Sequence, residues 1–252
     1  MNGTTNPPGQ TELEQHRCEI EKNRARWEEK ELLRRIYDGF YGQIISQLPV
    51  GKGPFVELGS GMGNLKKYKE EVICTDLFPN RGMDLVCDGY SMPFAGESIG
   101  ALLLFDVFHH LEKPAMFLAE AERCLRRGGR LIIFDPYISL FSRLAYAFHH
   151  EPMGMKERIN LEPTGAKPGN YYAAQGNATR LFFASETNWL GNGWKIAERR
   201  VITSFAYLLS GGFSKSGLYP AGALGMIEKA DRVLEKFPGV FGARCLIVLE
   251  RR

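Results

Sequence analysis

The chain has 252 residues, with 32 Lys and Arg against 29 Asp and Glu, a formal charge of +3 and 44% hydrophobic residues. That length holds one α/β domain with insertions or two small domains, with apolar material for a sizeable core. So small a net charge without a basic tail argues against nucleic acid or an anionic membrane as partner, and no apolar run approaches a membrane span.

Residues 1–10, MNGTTNPPGQ, are polar, rich in Pro and Gly, and read as a disordered leader without a signal-peptide pattern. Residues 11–48 follow as an N-terminal helical cap. Its first part balances acids against bases at spacings suited to i,i+4 pairs. Two readings stand side by side: a solvated amphipathic helix, or one whose Trp27, Tyr37 and Tyr41 help to cover a ligand site.

Residues 49–252 form the main domain. PFVELGS reads as a strand, EEVICTDL as a second, MDLVCDG as a short third and GALLLFDVF as the fourth. PAMFLAEAERCLRRGG is a helix closed by Gly128 and Gly129, and GRLIIFDPY is the fifth strand. Apolar runs rather than strict alternation mark strands covered on both faces. Strands interleaved with helices argue a Rossmann-like, doubly wound and mostly parallel α/β sheet, seven-stranded once WKIAERRVITSF and ARCLIVLERR are added. Two insertions interrupt it, a lid-like one over 137–193 and a second over 203–243, which holds a helix with Leu224, Ile227 and Leu234 on one face. The five cysteines, Cys18, Cys74, Cys87, Cys124 and Cys245, lack CxxC spacing and suit reduced thiols of a cytoplasmic protein.

Gly59, Gly61 and Gly63 directly follow the first strand, in FVELGSGMGN. Glycine costs roughly 0.5–1 kcal/mol against alanine in regular structure, so three together indicate a tight turn or a close approach by a ligand. A nicotinamide cofactor would call for G-x-G-x-x-G, but the third position is Asn64. A pyrophosphate would also meet Glu57, so the loop suits a less negative ligand.

VELGSGMG resembles the E/D-x-G-x-G-x-G loop of class I S-adenosylmethionine-dependent methyltransferases, in their small-molecule branch. Asp76, nineteen residues after Glu57, is similar to that family's ribose-diol acid, and CDGYSMPF resembles its D-x-x-x-L-P-F segment with Met92 for leucine. The stretch from Phe105 to Pro136 resembles the family's fourth to fifth strands, so the likeness covers roughly residues 55–136. It implies S-adenosylmethionine as cofactor and S-adenosylhomocysteine as product. It also implies a cofactor site of Glu57, Gly59, Ser60, Gly61, Gly63, Asp76, Leu77, Asp88, Gly89, Phe105 and Asp106, with Glu57 near the methionine end and Asp88 at the adenine amino group.

Methyl transfer from a sulfonium is an in-line displacement, so the protein mainly aligns the acceptor and excludes water. Candidate bases are His109, His110, His149 and His150, two adjacent pairs after the fourth and fifth strands. The same pairs also have a structural reading. His150 and Glu151, as neighbours, rarely converge on one ion, so no metal is expected. FDPY resembles the D-P-P-Y motif of amino-methylating DNA enzymes but follows the fifth strand instead of the fourth and lacks the second proline. Tyr137, Tyr171, Tyr172, Asn177 and Arg180, with Gln175, suit a polar ring-shaped acceptor, and FHHEP with its loop weakly resembles methyltransferases of bacterial surface-glycan pathways. The tyrosines have a packing alternative. FAYLLSGGFSKSGLYP is a candidate cover for a lipid-like acceptor or a homodimer face.

The expectation is therefore a methyltransferase acting on an oxygen or nitrogen of a small molecule, among them a sugar or glycan precursor. A catalytically silent S-adenosylmethionine-binding subunit is the alternative, and a nicotinamide oxidoreductase a more distant one.

Overall fold

A computed structural model describes residues 12–51, 53–147, 151–168, 172–184 and 187–252. The expected leader over 1–10, His149, His150 and Tyr171 lie outside the described residues.

The cap is two helices, α1 (Glu12–Glu29) and α2 (Glu31–Ile45), instead of one. Lys30 breaks them with an extended backbone (φ −104°, ψ 90°), and Arg34 Nη1 donates to the Trp27 and Glu28 carbonyls at 2.5 and 2.7 Å. α2 buries Leu33, Ile36, Tyr37, Phe40, Tyr41 and Ile44, the three-and-four spacing of one helix face.

The strands are β1 (Phe55–Leu58), β2 (Val72–Asp76), β3 (Leu85–Val86) and β4 (Ile99–Phe105), then β5 (Leu125–Pro136), β6 (Trp194–Thr203) and β7 (Gly242–Arg251). They form one seven-stranded sheet in the order β3-β2-β1-β4-β5-β7-β6. β1 pairs in parallel with β2 and β4, and β4 with β5, while β7 runs antiparallel to both β5 and β6. Successive residues face opposite sides. Val56, Leu102, Leu104 and Ile133 pack with Phe117 and Leu118 of α3 (Pro114–Cys124), while Phe55, Leu103, Ile132 and Phe134 pack with α2.

α3 stops at Cys124, short of the expected Gly128–Gly129. The pairing with β4 jumps from Ile99↔Leu125 to Ala101↔Arg130, so residues 126–129 loop out, with Gly128 at φ 68°.

The first insertion carries α4 (Ser142–Ala147) and α5 (Asn177–Thr179), which runs on into a wider turn over Arg180–Ala184. It is rooted in the core rather than hinged over it: Ala178, Leu181 and Phe182 are buried, and Ala174 N–H donates to the His109 carbonyl at 2.9 Å. The second insertion holds α6 (Phe205–Leu209), α7 (Leu224–Leu234) and α8 (Pro238–Phe241). All five cysteines are free thiols, four of them buried. No helix among the described residues is long and apolar enough to cross a membrane.

Candidate active site

The order of strands reverses between β1 and β4, and a crevice at the carboxyl ends of such strands is where open α/β sheets bind ligands. Here it opens into a cavity of about 740 Å³. One wall is Glu57 with Gly59–Met62, and the floor is Phe105 and Asp106. His109, His110, Glu151 and Gln175 close one end, while α1, Tyr37, Tyr41 and residues 207–218 roof the rest.

Gly59, Gly61 and Gly63 have φ of 64°, 53° and 70°, a left-handed conformation that side chains resist. At Gly63 a Cβ would also collide with the Gly82 carbonyl. The loop is sewn to the end of β2. Ser60 N–H donates to Thr75 O at 2.8 Å, Thr75 N–H to Ser60 Oγ at 3.0 Å, and Gly61 N–H to Asp76 Oδ2 at 3.0 Å.

Asp76 is buried and also accepts from Leu77 N–H at 2.8 Å and Asn80 Nδ2 at 3.1 Å. His16 of α1 stands over it, Nε2 3.5 Å from Oδ1, and its ring packs on Phe78. Glu57 is buried at the end of β1, where loss of solvent pushes its carboxyl up to about 7. Asp106 has a left-handed backbone, φ 56°, uncommon without glycine though tolerated by aspartate. Its Oδ1 is ion-paired with Arg244 Nη1. Arg244 is 2% exposed and lies over the Tyr207 ring at 4.5 Å.

His109 is bracketed by carboxylates, Nδ1 3.0 Å from Asp135 Oδ1 and Nε2 3.4 Å from Glu151 Oε2. Burial pulls its proton affinity down, but Asp135 and Glu151 prevail and raise it to about 10. His110 donates from Nδ1 to the Tyr172 carbonyl at 3.1 Å, and its Nε2 lies 3.6 Å from Glu151 Oε1. Burial, then the neighbouring His109, push it down to about 4.

The remaining sequence-derived residues are dispersed. Asp88 bonds Tyr90 N–H at 2.8 Å and Lys167 Nζ at 2.9 Å, and Gly89 packs near Phe117, both away from the cavity lining. Leu77 is largely exposed. Tyr137 packs on Phe183, ring centroids 5.1 Å apart. Tyr172 and Asn177 bond one another at 3.2 Å, and Arg180 donates to the Gly154 and Glu157 carbonyls at 2.7 and 2.6 Å. These three brace the first insertion from within. Tyr37 and Tyr41 do line the cavity, whereas Trp27 packs against Tyr37.

Sequence reasoning misses Arg244, and it reaches Tyr207 only as part of the candidate cover FAYLLSGGFSKSGLYP. The signal for Arg244 is a cation inside the otherwise apolar run GARCLIVL of the closing strand. It sees Glu151 only beside His150, whereas the fold brings it to His109 and His110.

Residues 56–133 match the family model described as "Methyltransferase domain". That stretch is similar to a methyltransferase domain. The chain is similar to an uncharacterized Methanocaldococcus jannaschii protein, MJ1123, at 29% identity over 39% of this chain and 51% of that protein. It is also similar to the mouse "Probable tRNA methyltransferase 9B", 26% identical over 37% of this chain and 22% of that one. The chain thus spans about half, or less, of the curated relatives it matches. Among solved structures, geranyl diphosphate methyltransferase in complex with SAM superposes with a TM-score of 0.55 at 15% identity over 87% of each chain. A Thermotoga maritima SAM-dependent methyltransferase, described as a possible histamine N-methyltransferase, gives 0.55 at 17% identity over 93% of this chain and 99% of that one. The Rossmann-like methyltransferase fold is shared, and each named acceptor belongs to its own protein.

Proposed function

We propose that the protein is an S-adenosylmethionine-dependent methyltransferase that acts on an oxygen or nitrogen of a small polar acceptor, with a sugar or glycan precursor as the favoured class. One observation carries this reading: a phosphate-averse loop of three left-handed glycines, with Glu57 beside it, opens into a cavity whose far end holds a His and Glu cluster. The methionine ammonium and the sulfonium suit Glu57 and Asp106, and the ribose diol suits Asp76 once His16 and Asn80 yield its oxygens. The acceptor lone pair attacks the methyl carbon as the carbon–sulfur bond breaks. Its electron pair goes to sulfur, and the acceptor proton leaves toward the His and Glu end. Of the candidate bases, His109 is held protonated between two carboxylates, so acceptance falls to His110 and Glu151.

The polar end at His109, His110, Glu151 and Gln175 favours a hydroxylated acceptor over a lipid, and the small net charge favours it over nucleic acid. The test is calorimetry with S-adenosylmethionine, S-adenosylhomocysteine and NADH, followed by detection of S-adenosylhomocysteine on incubation with sugars and amines. Binding of the first two ligands with turnover supports the reading. NADH binding alone, or cofactor binding without turnover of any acceptor, counts against it. Asp76→Ala is expected to weaken cofactor binding by about 1–3 kcal/mol.

A further inference from the structure

We propose that His109, His110 and Glu151 form a divalent transition-metal site at the inner end of the cavity, with an open position that takes an oxygen of the acceptor. The ligating atoms converge: one oxygen of Glu151 lies 3.4 Å from His109 Nε2 and the other 3.6 Å from His110 Nε2, and all three groups place a ligand atom within 4.8 Å of one another. Ligands about 2.1 Å from an ion at the tetrahedral angle are themselves about 3.4 Å apart.

The outer shell is already that of a metal centre. Metal-bound imidazoles anchor their other nitrogen on a carboxylate or a carbonyl. His109 Nδ1 does so on Asp135 at 3.0 Å, and His110 Nδ1 on the Tyr172 carbonyl at 3.1 Å. Because a carbonyl only accepts, the His110 proton sits on Nδ1 and the neutral ring turns a lone pair from Nε2 toward Glu151 Oε1, another acceptor. Gln175 supplies an independent sign. It is 2% exposed, its amide bonds Glu151 Oε2, and its Oε1 is a buried acceptor without a hydrogen-bond partner.

Two imidazoles and one carboxylate suit zinc, iron, cobalt or nickel, whereas magnesium and calcium prefer oxygen alone. Three protein ligands leave a position open, and all three residues line the cavity. The sequence expectation of no metal weighs only the adjacent His150 and Glu151. The convergent set spans about forty residues of chain and exists only once the first insertion has docked.

The site stands on its own geometry, but the role of its open position rests on the methyl-transfer reading. A bound hydroxyl is acidified and loses its proton to solvent water; its oxygen bonds the methyl carbon while sulfur keeps the electron pair of the broken bond. Metal entry displaces the Nε2 proton of His109 to solvent, and coordination then replaces direct proton acceptance by His110 and Glu151.

The test uses the full chain stripped with EDTA and titrated with Zn²⁺, Co²⁺ and Mg²⁺, without cofactor. One equivalent of Zn²⁺ or Co²⁺ is expected, Mg²⁺ binding at least about 100-fold more weakly, and bound Co²⁺ giving the visible d–d bands of a four- or five-coordinate site. Glu151→Gln and His110→Asn should each abolish uptake, and Asp135→Asn should weaken it about 10–100-fold. Should the variants not fold, the Co²⁺ spectrum of the unaltered protein decides. Absent d–d bands, or uptake unchanged in both folded variants, overturn the site and leave the cluster a proton-bridged one. S-adenosylmethionine calorimetry on the stripped protein separates the two ideas: cofactor binding without metal uptake sinks only this one, and metal uptake without cofactor binding sinks only the methyl-transfer role.

Discussion

His16 Nε2 of α1 stands 3.5 Å from Asp76 Oδ1, so a residue of the N-terminal cap occupies the carboxylate proposed for a ribose diol. The nearby Asp76 carboxylate raises the proton affinity of His16, while burial opposes it. A cofactor must compete with that contact, which lowers its apparent affinity by the fraction of molecules left open. His16→Ala is therefore expected to tighten S-adenosylhomocysteine binding about twofold to tenfold, measured by calorimetry. Weaker binding instead would mean that α1 closes over the ligand and helps to hold it.

Glu57 gives a pH dependence. In the free protein burial holds its carboxyl near 7, and a cationic ligand favours the ionised form. Below about pH 7 binding must first remove a proton, so affinity falls by up to about tenfold per pH unit; above it this limb is flat. The ligand's own amino group, which titrates near about 8, shapes the alkaline side. Glu57→Gln in a His16→Ala background should erase the acid limb and spare the alkaline one, read from dissociation constants between about pH 6 and about pH 8.

The glycine loop can be tested by contrast. Gly51 and Gly63 share almost the same φ, 68° and 70°, but Gly51 faces open space whereas a Cβ at Gly63 meets the Gly82 carbonyl. Gly51→Ala should cost about 1 kcal/mol from backbone strain alone. Gly63→Ala should cost about 2–4 kcal/mol and impair cofactor binding, as urea unfolding and calorimetry would report. Equal costs would show that the loop shifts freely away from Gly82.

The Asp106–Arg244 pair should respond asymmetrically. Arg244 is almost wholly buried, while the Asp106 side chain is 30% exposed. Asp106→Asn leaves a buried cation uncompensated, an expected loss of about 3–5 kcal/mol. Arg244→Met leaves a carboxylate that still reaches water, so it should cost less. A larger loss from Arg244→Met in chemical denaturation would indicate that its stacking on Tyr207 outweighs the charge pair.

The sheet was legible in the sequence because apolar runs such as GALLLF and RCLIVL register burial on two faces, and the three spaced glycines register a backbone need at one point. Gly128 and Gly129 misled in a local way, because glycine ends helices and also permits the outward loop between Leu125 and Arg130. The far wall of the cavity was less legible. Glu151 and Gln175 reach His109 and His110 through long-range docking of the first insertion, which no periodicity encodes. Tyr172, Asn177 and Arg180 carry polar groups that suit a sugar and serve equally to hold an irregular loop together, and their partners become visible only in three dimensions.

β7 lies between β5 and β6 although it follows both along the chain. During synthesis β5 has an unpaired flank until residues 242–251 leave the ribosome, and β6 has no neighbour to join. Nascent chains are consequently exposed to intermolecular strand addition along β5 for the whole time taken to translate the second insertion. A slow codon stretch or a premature stop within 203–241 would lengthen or fix that vulnerable interval, giving insoluble protein instead of a smaller active one.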